Sequence, residues 1–189
     1  MNFVSLKAYA LEKKVPIITD EVFDFLKSFI SQNQIKDVLE IGTAIGYSAL
    51  AMASFGCYVT TFERDEFMID EAKKHFDLFE EGERVTLIPF DALTYDKNLG
   101  LFDLIFIDAA KSQYETFFNK YKPYLKQGGY IVCDNLHFHH LDPSKVNRHT
   151  QALLKKLEKF KVFLKDHTEF ETAFYDFGDG VSVSKRIML

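Results

Sequence analysis

No run of apolar residues in this 189-residue chain approaches the ~20 that a membrane-spanning helix requires. Residues 1–7 also lack the basic and then apolar pattern of a secretory signal, which points to the cytoplasm. Only four prolines and nine glycines are present, and no linker, low-complexity tract or internal repeat breaks the chain. Residues 1–189 therefore read as one domain, long enough to bury about two-thirds of its unfolded surface without disulfides or structural metal. Cysteine is nearly missing as well. Cys57 and Cys133 both sit in strand-like runs and read as buried free thiols, not as a disulfide. An excess of positive charge is lacking too: the formal charge of −5 argues against a protein that coats nucleic acid. The charge is unevenly spread, however. Between residues 144 and 165 seven cations (Lys145, Arg148, Lys155, Lys156, Lys159, Lys161, Lys165) face a single acid, Glu158.

What is there alternates. Residues 3–14 and 20–32 read as helices, the second opened by Thr19 or Asp20 as N-cap, with Val15-Pro16-Ile17 extended between them. Strands at 37–41, 57–62, 85–89, 102–108 and 129–133 then alternate with helices near 46–55, 66–79, 112–125 and 144–165. That order predicts an α/β, doubly wound, mostly parallel sheet. The ending differs, because residues 172–177 and 181–185 alternate around Gly178-Asp179-Gly180 and read as an antiparallel hairpin. A parallel sheet finished by such a hairpin is a class I methyltransferase pattern, not a common dehydrogenase one.

Three strand ends carry chemistry. The turn Gly42-x-x-x-Gly46 does not match Gly-x-Gly-x-x-Gly, so it lacks the glycine that lets backbone approach a pyrophosphate. Glu63 closes the next strand at the spacing of an acid that binds ribose hydroxyls, which suits an adenosine without a pyrophosphate. Asp91-Ala92, after the third strand, is placed to reach the adenine, with a plain turn as the alternative for Asp91. Asp108, Asp134 and Asn135 supply three hard oxygen donors at two further strand ends, a set suited to Mg²⁺, Mn²⁺ or Ca²⁺ more than to Zn²⁺. The plainer alternative is an Asx turn at Asp134-Asn135 and a helix cap at Asp108. Lys111, three residues beyond Asp108, would project toward the same mouth. Beside a divalent cation and a sulfonium its ammonium form would be disfavoured, making it a usable base; otherwise it is a surface lysine with a buried stem.

Glu-Ile-Gly-Thr-Ala-Ile-Gly-Tyr-Ser at 40–48, Phe-Ile-Asp-Ala-Ala-Lys at 106–111 and Gly-Gly-Tyr-Ile-Val-Cys-Asp-Asn at 128–135 resemble the cation-dependent O-methyltransferases related to catechol and caffeoyl-CoA O-methyltransferases. Tyr9-Ala10, Val15-Pro16-Ile17 and the ending at 178–185 look closest to the bacterial branch that methylates 5-hydroxyuridine at the tRNA wobble position. The resemblance spans nearly the whole chain. It implies a seven-stranded Rossmann-like sheet in the order 3-2-1-4-5-7-6 behind N-terminal helices at 1–32, the sheet domain occupying 37–189. It also implies S-adenosylmethionine held by Ile17, Glu40, Gly42, Thr43, Tyr47, Ser48, Glu63, Asp91, Ala92 and Asp108. Mg²⁺ would sit on Asp108, Asp134 and Asn135, with Lys111 as general base. Because the family-like sequence begins almost at Met1, the additional N-terminal helical segment usual in the family is expected to be lacking, which bears on the lid closure and dimer contacts that the resemblance otherwise implies.

The expected function is then Mg-dependent O-methylation of tRNA 5-hydroxyuridine by a homodimer. Alternatives are the same chemistry on a small catechol-like or hydroxycinnamoyl substrate, or a catalytically silent RNA-binding protein on the same fold; an NAD-linked oxidoreductase ranks last. His137, Arg148 and Lys155 are candidate substrate or RNA contacts. His139 and His140 offer no helical i, i+4 metal pair with it, and Phe138 is at most a surface for stacking a base.

Overall fold

The computed structural model describes residues 2–137 and 146–187. Two helices open the chain. In α1 (Phe3–Lys13) Asn2 and Ser5 form a reciprocal capping box, and the helix stops at Lys14 in a left-handed conformation. In α2 (Asp20–Gln32) the Thr19 hydroxyl accepts the Val22 N–H, while Val22, Leu26 and Ile30 form the buried stripe.

The core then alternates as β1 (Asp37–Ile41), α3 (Tyr47–Ser54), β2 (Tyr58–Glu63), α4 (Glu66–Leu78), β3 (Val85–Pro89) and β4 (Phe102–Ile107). It continues through α5 (Tyr114–Tyr121), β5 (Leu125–Cys133), α6 (Arg148–Asp166), β6 (Phe170–Tyr175) and β7 (Val181–Arg186). The strands form one sheet in the order β3-β2-β1-β4-β5-β7-β6, antiparallel at β5/β7 and β7/β6, as the resemblance implies. No described helix is long and apolar enough to cross a membrane.

Alternation within the strands builds a core on each face. Val38, Leu104, Phe106, Val132 and Val183 pack toward α1, α2 and α3. Leu39, Ile105, Ile107, Ile131 and Cys133 pack toward α5 and α6. Cys57 and Cys133 are buried and free, the state expected for them.

Two elements depart most from expectation. Residues 112–125 are not a continuous helix: a 3-10 turn at Lys111–Gln113 leads into α5, and a second at Lys122–Tyr124 ends it. Pro123 has no N–H to donate and crowds the preceding turn, so the chain leaves the helix and enters β5 at Leu125, earlier than residue 129. The hairpin strand β6 is also shifted, to Phe170–Tyr175 from the expected 172–177. The last helix is described from Arg148; residues 144 and 145 of the expected span lie outside the described residues.

Candidate functional site

Strand order reverses between β1 and β4, and a crevice opens beyond their carboxyl ends. At Gly42 the chain turns with φ +108°, and both Gly42 and Thr43 donate their N–H to the Phe62 carbonyl, at 3.1 and 3.0 Å. A Cβ on Gly42 would lie 2.2 Å from the Asp108 carbonyl oxygen, so only glycine lets the two strand ends approach. Glu63 secures the far side of the loop. Its Oε2 accepts the Ala44 N–H at 2.8 Å, and its Oε1 accepts those of Arg64 and Asp65. A carboxylate has about four acceptor sites, so capacity for a ribose hydroxyl remains.

Behind the loop Glu40 is fully buried; it accepts from the Ser48 hydroxyl at 2.5 Å and from Thr61, whose own oxygen is 2.6 Å from that of Thr43. Glu40, expected against the cofactor, lies behind the residues that line the cavity and is joined to one of them, Ser48, by this hydrogen bond. Periodicity does not reveal these partners, because they lie on other elements, Ser48 on α3 and Thr61 on β2.

Burial raises the Glu40 carboxyl from 4.5 to about 7, more than its two hydroxyl donors lower it. In the unfolded chain it ionises near 4.5, so the stabilisation is complete below that pH and is lost as pH rises to about 7. That amounts to about 3 kcal/mol. Glu40→Gln is expected to remove this dependence. Urea unfolding at pH 5 and pH 8 checks it: the drop in stability across that range should be smaller in the variant than in the parent.

The cavity measures about 550 Å³. Ile17 and its neighbours in the α1–α2 connection line one side, and Gly42, Thr43, Tyr47 and Ser48 line the floor. Glu63, Asp91 and Ala92 lie toward one end, and Asp108, Lys111 and Asn135 complete the wall. Asp91 proves to be both turn-former and wall: one oxygen accepts the Leu93 N–H at 2.8 Å and the other pairs with Arg64 at 2.9 Å. Burial alone would raise its pKa, but these two partners outweigh it and hold Asp91 below the usual carboxylate range. Arg64 and Phe90 also line the cavity, as does Asp179, which the sequence showed only as part of a turn. For Arg64 and Phe90 the available signal was adjacency to strand ends.

The three oxygen-bearing residues converge. Asp108 donates its N–H to the Ile41 carbonyl and Asp134 donates its own to Ile107, so each follows its strand directly. Asn135, at φ 63°, gives its amide N–H₂ to Asp108 Oδ1 at 2.8 Å and its backbone N–H to Asp134 Oδ1 at 2.7 Å. The Tyr114 hydroxyl holds the Asp134 carbonyl at 2.8 Å. Burial raises both carboxyl pKa values. The Asp108 charge adds to the rise at Asp134, and Asp179 adds to both, against the opposing pull of Lys111. Two crowded, buried carboxylates with an amide alongside are chemically suited to a hard cation, which would offset their repulsion. Among the described residues no group of three or more His, Cys, Asp or Glu is placed to hold a metal ion, and the candidate donors here are two carboxylates and one amide.

The outer candidates lie apart. His137 donates its N–H to the Asp179 carbonyl at 2.7 Å and places Nε2 3.2 Å from Asp176, outside the cavity wall. Arg148 and Lys155 are exposed on α6 and do not line the cavity either. Phe138, His139 and His140 lie outside the described residues.

Comparison with known proteins agrees with this architecture. A family model described as O-methyltransferase matches residues 4–187. A crystal structure from Staphylococcus aureus, given the name "putative caffeoyl-CoA O-methyltransferase", is 35% identical, with a TM-score of 0.93 over 98% of this chain and 92% of that one. The Podospora anserina methyltransferase PaMTH1, solved with SAH bound, is 26% identical, with a TM-score of 0.81 over 91% of this chain and 80% of that one. O-methyltransferase ankF of Aspergillus thermomutatus is 33% identical over 113 residues, which are 56% of this chain and 47% of ankF, so the match spans about half of that relative. With the fold, the glycine turn and the strand-end acids in place, the chain belongs to the O-methyltransferase family, as an S-adenosylmethionine-dependent enzyme of the caffeoyl-CoA and catechol type.

Proposed function

We propose that the enzyme methylates the 5-hydroxyl of 5-hydroxyuridine at the tRNA wobble position, with Mg²⁺ held by Asp108, Asp134 and Asn135. The observation that carries the tRNA assignment is the course of α6. β5 ends at the site and β6 runs parallel to it, so the intervening helix begins at the site end and travels down the flank. It presents Arg148, Lys155, Lys156 and Lys159 to solvent, while Leu157, Phe160 and Leu164 face the core. A basic track leading away from the mouth of an acidic protein suits a polyanion longer than the cavity.

In this reading S-adenosylmethionine supplies the electrophilic methyl, and the cation supplies the charge that acidifies a substrate hydroxyl. Lys111, on the cavity wall, accepts that hydroxyl's proton. The turn at 42–46 and Glu63 fix the methyl donor's orientation.

Nucleoside mass spectrometry of tRNA from a strain lacking the gene should show 5-methoxyuridine-type nucleosides lost. Their persistence, with turnover of free catechols by the purified enzyme, would instead favour the small-molecule reading suggested by the caffeoyl-CoA names of its relatives. A cytoplasmic homodimer completes the proposal, supported by the outer face of α1, where Val4 and Leu11 are 79% and 71% exposed. Sedimentation equilibrium is expected to give twice the chain mass; a monomer at micromolar concentration would remove that part.

A further inference from the structure

The glycine turn at 42–46, which contributes Gly42, Thr43 and Ala44 to the cavity wall, is gripped from behind by a side chain that does not line the cavity. Ile45 lies in this turn, fully buried, between Ala44, whose N–H is held by Glu63, and Gly46. Its carbonyl is 2.9 Å from Nδ1 of His75 on α4. A carbonyl oxygen can only accept, so Nδ1 must carry the proton. His75 is 4% exposed, and its ring meets the Tyr9 ring edge-on at 5.2 Å. The Tyr9 hydroxyl donates to Glu71, which Lys74 also contacts at 2.6 Å. The next residue, Phe76, packs against the turn so closely that a Cβ on Gly46 would come within 2.5 Å of its ring. α4 therefore holds two successive residues of the turn, Ile45 by a hydrogen bond and Gly46 by contact, while α1 steadies the histidine through Tyr9. Neither His75 nor Tyr9 nor Glu71 borders the cavity.

We propose that His75 is a positioning residue for S-adenosylmethionine. By anchoring the Ile45 carbonyl it fixes the backbone of the turn whose opposite side, at Thr43 and Ala44, lines the cavity. Its effect should appear in cofactor affinity. The proposal rests on family membership and is independent of the tRNA assignment.

The test measures S-adenosylmethionine binding to the full chain by calorimetry. His75→Phe keeps a ring but removes the donor, and should weaken binding about tenfold. His75→Asn places an amide N–H₂ near the Nδ1 position and should bind within about threefold of the parent. Wild-type affinity in His75→Phe would overturn the proposal. So would equal weakening in both variants, since packing alone would then explain the loss. A readout that needs no variant is nitrogen-15 NMR of the parent enzyme. The His75 Nδ1 proton should be protected from exchange and its resonance should move when the cofactor is added; a neutral ring protonated only at Nε2 would refute the assignment.

Discussion

Lys111→Ala should lower turnover by about 10²- to 10⁴-fold, the usual range for a positioned general base, with no loss of divalent-cation affinity. Lys111 begins the 3-10 turn after β4, three residues beyond Asp108, and borders the cavity. Its charge is felt by both Asp108 and Asp134, so it stands among the groups that would receive a substrate hydroxyl. Asp134→Ala should reduce turnover as severely for a different reason. Asp134 is 2% exposed, its carboxylate capped by the Asn135 N–H, and its removal takes away one of the three candidate cation donors. Calorimetric titration with Mg²⁺ or Mn²⁺ separates the two: weakened binding in Asp134→Ala alone supports the roles assigned, and equal affinity in both variants contradicts them. Turnover undiminished in Lys111→Ala would remove lysine from the proton path.

Gly42→Ala is expected to lower stability by about 3 kcal/mol or more and to abolish measurable cofactor binding. Two costs combine there. The residue would have to hold φ +108°, and its Cβ would have to displace the Asp108 backbone, pushing apart the ends of β1 and β4 where the Asp108 N–H meets the Ile41 carbonyl at 3.1 Å. Gly56 provides the control, with a similar φ of +97° but nothing within 4 Å of a built Cβ. Gly56→Ala should therefore incur only the conformational cost, about 1 to 2 kcal/mol. Urea unfolding of both variants reads the difference. Equal losses would mean that the strand ends relax around the methyl group and that close approach at Gly42 is not required.

Both predictions use residues already visible in the chain, and the reason is chemical. β1 and β3 have the bounds their residue patterns suggest, Asp37–Ile41 and Val85–Pro89, because apolar runs between turn-formers leave little local choice. Gly42, Glu63 and Asp108 stand at strand ends, where a parallel sheet turns its terminal residues toward the crevice. The broken helix at 111–124 was obscured because helical spacing continues through Lys122, and Pro123 decides the outcome only together with the strand it introduces. Glu40 is similar: its place beside the glycine turn is legible in the chain, but that Ser48 and Thr61 enclose it is decided by packing.

By itself the sequence determined the alternation of strands and helices, the closing hairpin, the positions where the backbone needs glycine, and the kinds of donor at each strand end. These are local properties, set by side-chain period, φ preference and residue chemistry. Only the tertiary structure decided which groups meet: Asn135 on Asp108 across 27 residues, Ser48 and Thr61 on Glu40, and His75 on the Ile45 carbonyl across 30. Such pairings depend on strand order and helix packing, which bring together chain segments whose own patterns carry no record of one another.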